Sequence, residues 1–97
     1  MDREEVVRIV QGALPELSVR YEFLNLDLFG SFARNEAGPE SDVDFLVTFQ
    51  GEPTFARFMG LKEDLEMLLG RDVDLVTSTG LKPRIREAVL AEIHRVA

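Results

Sequence analysis

The sequence predicts an α/β (α+β) domain: a small mixed three-stranded sheet with helices packed on one face. Three observations carry that expectation. Apolar residues at helical spacing alternate along the chain with short runs of period two. The elements fall in the order helix, strand, strand, helix, strand, helix, which suits a sheet covered by helices. Residues 1–97 contain no internal repeat, no low-complexity stretch and no linker, so a single domain is expected.

Asp2, with Glu5 three positions on, makes a capping-box pattern, in which each side chain satisfies a backbone N–H left unpaired by the first helical turn. Val6, Val7, Val10, Ala13, Leu14 and Leu17 follow at helical spacing. Pro15 is expected to end or bend this helix. Leu24-Asn25-Leu26-Asp27-Leu28-Phe29 alternates as a strand with one buried face does, and it stops at Gly30-Ser31. A short helical stretch from Phe32 to Ala37 leads to the turn-forming Gly38-Pro39-Glu40-Ser41.

The second strand runs from Asp42 to Phe49. It places Val43, Phe45 and Val47 on one face and Asp42, Asp44 and Leu46 on the other. Gly51-Glu52-Pro53 then turns into a long helix marked by Phe55, Phe58, Leu61, Leu65 and Leu68, and Gly70 closes it as a C-terminal cap. Gly60 within that helix costs about 1 kcal/mol against Ala. Asp72 to Thr77 is a third short strand. Pro83 opens a last helix with Ile85, Val89, Ile93 and Val96 on one side.

Composition narrows the function. With 45% hydrophobic residues the chain can build a core, although one this short buries a smaller share of its surface than a larger domain. Eleven basic against 18 acidic residues give a net charge of -7, with no basic run. Nucleic-acid binding draws its affinity from Lys and Arg that displace counterions, so stable binding of nucleic acid by this chain alone is not expected. A basic partner protein suits the field better. The absence of cysteine excludes disulfides, thiolate metal sites and a cysteine nucleophile. The charged start Met1-Asp2-Arg3-Glu4-Glu5 is unlike a signal peptide, and no apolar run approaches the roughly 20 residues that span a bilayer. No membrane association and a cytoplasmic location are expected.

Three features carry chemistry together. Gly30-Ser31 ends an apolar strand and begins a short helix. Glycine admits a phosphate close to the backbone, unpaired first-turn amides favour an anion, and the Ser31 hydroxyl adds a donor. Asp42 and Asp44 alternate along a strand, so both carboxylates share one face, about 7 Å apart at their Cα atoms. That spacing suits a pair of divalent cations roughly 4 Å apart, and carboxylate with phosphate oxygen is what magnesium prefers. Asp74 stands within the short β pattern Val73-Asp74-Leu75-Val76, with Asp72 on the same face as a rival. Each feature alone has a plainer reading: a strand end, a wet sheet face, an edge charge that deters aggregation.

Taken together, Leu28-Phe29-Gly30-Ser31-Phe32-Ala33-Arg34 and Ser41-Asp42-Val43-Asp44-Phe45-Leu46-Val47 resemble the signature of the DNA polymerase beta-like nucleotidyltransferase superfamily. The resemblance is strongest to its small MNT-type proteins, the minimal nucleotidyltransferases. Val73-Asp74-Leu75-Val76-Thr77 with Leu81-Lys82-Pro83 is similar to the family's third-strand region, and the likeness extends from Leu26 to Ile93. One position departs. Asn35 stands where the family commonly has Gly, and Asn is the residue that best replaces Gly in a left-handed helix ending.

The resemblance implies a nucleotidyltransferase fold and a magnesium-dependent enzyme. Asp42, Asp44 and Asp74 would hold two Mg2+ ions and act as the catalytic carboxylates. Gly30 and Ser31 would cradle the triphosphate of ATP, and Arg34 would neutralise phosphate charge unless it is simply a solvated surface residue. AMP would pass to an acceptor hydroxyl with loss of pyrophosphate. So short a chain leaves little room for an acceptor domain, and MNT-type proteins often pair with a HEPN-domain toxin, whose tyrosine they can modify as antitoxin. The alternative is a non-catalytic module that neutralises its partner by masking it. Lys82 and His94 read as exposed residues, His94 near the end of the last helix.

Overall fold

The computed structural model describes all residues from Met1 to Ala97. Helix α1 (Arg3–Tyr21) begins where the capping pattern places it, with the Asp2 carboxylate accepting from the Glu5 N–H at 2.9 Å. Pro15 does not end it. The helix runs on because Leu17 and Tyr21, beyond the proline, are buried in the core, and that burial outweighs the backbone hydrogen bond proline removes. Glu22, left-handed with φ 55°, stops the helix and donates its N–H to Ser18 O at 2.9 Å.

Strand β1 (Phe23–Phe29) is followed at once by the single-turn α2 (Gly30–Ala33). The short helix therefore lies earlier than the Phe32–Ala37 expected from the sequence. Asn35 explains its end: with φ 61° it takes the left-handed conformation that breaks the turn, as the Asn-for-Gly argument anticipates. Strand β2 (Val43–Phe49), helix α3 (Phe55–Leu69) and strand β3 (Val73–Thr77) follow, with Gly70 capping α3 at φ 64°. Asp42 and Asp72 stand just outside their strands.

The last helix, α4 (Pro83–Glu92), ends before Ile93, which is extended, and the chain then forms β4 (His94–Arg95). Hence the sheet has four strands rather than three. A two-residue strand is too short to show alternation, and Ile93 and Val96 happen to continue the helical spacing of α4. His94 accordingly sits in a strand just past the end of α4. Arg95 explains why β4 forms at the sheet edge: its Nε donates to the buried Asp27 carboxylate at 2.5 Å and its NH1 to Asn25 at 3.0 Å.

The strand order is β3-β2-β1-β4, mixed as expected: β1 is antiparallel to β2 and β4, and β2 is parallel to β3. The core forms where Leu26 and Leu28, Val43, Phe45 and Val47, and Val73 and Leu75 meet apolar residues of α1 and α3. Leu61, Leu65 and Leu69 are the buried stripe of α3, whereas Phe55 is 80% and Leu68 39% exposed. Gly60 has a packing reason: a Cβ there would lie 2.8 Å from the Tyr21 ring, so α1 and α3 approach across it. Helix α4 does not join that layer. It touches α2, and its one buried residue, Val89, lies outside the main core, as does Leu46. No helix is long and apolar enough to cross a membrane.

Candidate active site

The mixed topology brings three strand ends to one rim. Because β1 is antiparallel to β2, the end of β1 meets the start of β2; because β2 is parallel to β3, their starts lie side by side. The register is specific: Phe29 faces Asp44 across β1 and β2, and Asp44 faces Asp74 across β2 and β3. Neighbouring strands are about 4.8 Å apart, and registered side chains share a face. Gly30, Asp44 and Asp74 are thus consecutive along the rim, although they are far apart in sequence.

Gly30 and Asp44 touch so closely that a side chain at residue 30 would displace the Asp44 carboxylate. Gly30 has φ +74°, and a Cβ would sit 2.1 Å from Asp44 Oδ2. Both conditions favour glycine, one from backbone conformation and one from space. Ser31 follows in α2, half-buried, with its carbonyl accepting from the Glu36 N–H at 2.8 Å.

Asp44 is the electrostatic centre of the rim. Its carboxyl is pushed up to about 6, first by removal from water, then by the negative charges of Asp74 and Asp42; Arg34 opposes this and Glu92 adds to it. Those causes separate the two candidates for the third carboxylate. Asp74 is in register with Asp44 and repels it, whereas Asp72 precedes β3, contributes no comparable repulsion, and uses its carbonyl to accept the Val43 N–H at 3.0 Å. The geometry favours Asp74.

Glu92, at the end of α4, was not singled out from the sequence, yet it reaches this rim. One oxygen accepts from the Gly30 N–H at 3.0 Å, and the other pairs with Arg34 NH1 at 2.8 Å. Arg34 also pairs with Glu36 at 3.4 Å, so it is a committed cation and not a free surface one. The rim therefore already holds an anion on its glycine amide and its arginine. Nothing in the local sequence of α4 signals this; it follows only from the packing of α4 on α2. Lys82 is exposed at the start of α4, and His94 is exposed as well. The Tyr21 hydroxyl is away from the rim, donating to Asp64 at 2.5 Å.

The donor set suits a hard divalent cation: three carboxylates, no nitrogen or sulfur, and like charges whose repulsion a metal would relieve. As placed, no three acidic or histidine side chains converge on one point. Magnesium held by one or two carboxylates, with phosphate and water completing its shell, fits that spacing. The largest surface cavity, about 490 Å3, lies beside the rim and not on it. Asp42, Asp72 and Arg71 line it; Asp44 and Asp74 do not.

Comparison with known proteins shows the family. The model of the nucleotidyltransferase domain family matches residues 11–96. Protein adenylyltransferase MntA of Thermococcus cleftensis is 42% identical over 90 residues, covering 93% of this chain and 91% of that protein. A solved structure of a minimal nucleotidyltransferase superposes with a TM-score of 0.82 at 42% identity, covering 97% of this chain and 95% of the other. A chain from the complex of a tri-AMPylated Shewanella oneidensis HEPN toxin with its MNT antitoxin shares the fold, with a TM-score of 0.68 at 18% identity, over 94% of this chain and 71% of that one. Gly30-Ser31, Asp42-Val43-Asp44 and Asp74 on one rim, a sheet of this topology and relatives of this similarity lead to one assignment: the chain belongs to the nucleotidyltransferase domain family, as a minimal, MNT-type member.

Proposed function

We propose that this rim transfers AMP from ATP to the hydroxyl of a tyrosine on a HEPN-type toxin, in a magnesium-dependent reaction, and that the protein thereby acts as an antitoxin. The observation that carries the reading is the registry of Asp44 with Asp74, directly beside a glycine whose Cβ-free face touches Asp44. Relatives named as a protein adenylyltransferase and an AMPylated toxin with its MNT antitoxin support the donor and the acceptor.

Asp42, Asp44 and Asp74 would hold the magnesium, which supplies positive charge to the triphosphate and to the leaving pyrophosphate. The Gly30 N–H donates to a phosphate oxygen, in place of Glu92, and Ser31 adds its hydroxyl. Arg34 lies beside them and stabilises the same negative charge. Asp74, the most exposed of the in-register pair, accepts the proton of the acceptor hydroxyl. The acceptor oxygen bonds to the α-phosphorus as the α–β bridging bond breaks, and pyrophosphate carries away the electron pair. What the chain contributes is placement: three carboxylates and an amide on one edge.

The test is to incubate the protein with labelled ATP, magnesium and a HEPN-domain protein encoded beside it, and to follow label on that protein. Label that requires magnesium and disappears with Asp44→Asn is the expected result. If Asp44→Asn binds the partner and protects cells from it as well as wild type does, neutralisation works by masking and the catalytic reading is wrong.

A further inference from the structure

Arg71, in the turn between α3 and β3, makes contacts that no catalytic role of its own would explain. Its NH1 donates to Pro39 O at 3.2 Å and to Ser41 O at 3.3 Å, closing the turn that carries Asp42. Its guanidinium also lies over the ring of Phe32, 5.3 Å from the centroid. Phe32 is 1% exposed and follows Ser31 directly. One side chain therefore ties the carbonyl that precedes Asp42 to the buried residue that follows the Gly30-Ser31 turn.

That link supplies something the sheet does not. Asp44 and Asp74 are placed by strand register, but Asp42 is exposed and stands before β2 begins. The preceding turn Gly38-Pro39-Glu40-Ser41 is held by its own Gly38 N–H to Ser41 Oγ bond at 2.9 Å and by Arg71. One guanidinium nitrogen donates to both carbonyls while the planar group lies over the ring, and that second contact fixes direction as well as distance, which a lysine ammonium without a planar face cannot do.

We infer that Arg71 is a positioning residue for the metal site: it fixes Asp42 relative to the phosphate-binding turn, and so sets the affinity of the site for divalent cation. The inference rests on the metal-binding reading of Asp42, Asp44 and Asp74. It concerns a residue outside the three carboxylates and the Gly30-Ser31 turn.

The experiment measures Mn2+ binding by electron paramagnetic resonance, with a non-hydrolysable ATP analogue present, for wild type, Arg71→Met, Arg71→Lys, Asp42→Asn and the Asp42→Asn/Arg71→Met double variant. Partners that orient metal ligands are typically worth about 10–100-fold in affinity, so Arg71→Met is expected to weaken Mn2+ about tenfold. Arg71→Lys should fall between, since an ammonium can donate to the carbonyls but has no planar face to lie over Phe32. In the Asp42→Asn background, Arg71→Met should add less than about twofold, because the ligand it serves is gone. Unchanged affinity in folded Arg71→Met overturns the inference, as does an effect that multiplies with Asp42→Asn. If Arg71→Met does not fold, Arg71→Lys decides: wild-type affinity in it is equally fatal. Should wild type itself bind no Mn2+ with the analogue, the metal reading falls and this inference with it; weakened binding in Asp42→Asn with no change in Arg71→Met or Arg71→Lys removes this inference alone.

Discussion

Replacing Asp44 by Asn should stabilise the protein near neutral pH while destroying its activity. Burial and the charges of Asp74 and Asp42 raise the Asp44 carboxyl from the usual 3.8 to about 6. A carboxyl raised in the folded state favours folding while protonated, and the fold loses stability as pH climbs from about 4 through about 6. That displacement is worth at most about 3 kcal/mol above both values. Asp44 is only part-buried at an open rim, so solvent screening reduces the figure to about 1–2 kcal/mol. Asn is neutral at every pH and occupies the same space. For a domain of this size, 1 kcal/mol moves Tm by about 4–8 °C.

The assay is thermal unfolding of both proteins followed by circular dichroism across that pH range. The two Tm values should coincide near pH 4, and Asp44→Asn should lead by about 4–16 °C near pH 7.5. Adding magnesium with a non-hydrolysable ATP analogue should then raise wild type and leave Asp44→Asn behind, closing or reversing the gap. A Tm difference independent of pH, or an Asp44→Asn variant less stable than wild type near neutrality, would refute the electrostatic argument.

Two further outcomes follow from the rim. Gly30→Ala forces a side chain into left-handed backbone and a Cβ onto Asp44, so it should cost at least about 1–2 kcal/mol in urea unfolding and abolish transfer; full activity in this variant would falsify the close approach of Gly30 to Asp44. Glu92→Gln removes a charge-assisted contact from the Gly30 amide and Arg34, groups a phosphate would use. Calorimetry with an ATP analogue and magnesium should find binding tightened by about fivefold, equivalent to about 1 kcal/mol. Unchanged or weaker binding would mean that Glu92 supports the nucleotide site instead of competing for it.

How far the sequence could be read depended on whether a residue's role is set locally or by assembly. Asp42-Val43-Asp44 and the glycine at Gly30 were legible because alternation and backbone freedom are local properties, and the family signature binds them at fixed spacing. Asn35 was legible for the same reason: its left-handed φ of 61° is a choice made within one turn. Pro15 does not end α1 because its local penalty is outweighed by burial of Leu17 and Tyr21, which only the packed core supplies. The strand at His94–Arg95 was hidden by its length, and its cause, the Arg95 pairing with buried Asp27, spans 68 positions. Glu92 and Arg71 belong to the same class. One reaches the Gly30 amide across 62 positions and the other reaches Ser41 across 30, and neither sits in a motif. The division has a physical basis. Gly30-Ser31 and Asp42-Val43-Asp44 flank one short connection between adjacent strands, so they leave a pattern in the sequence; groups that hold those residues in place can be supplied from any element that passes nearby. A minimal domain has few elements to spare, and the turn before β3 and the end of α4 are two that pass this rim. Sites in such small folds are therefore best completed by asking which charged side chains outside the motif spend their hydrogen bonds on the backbone of the motif itself.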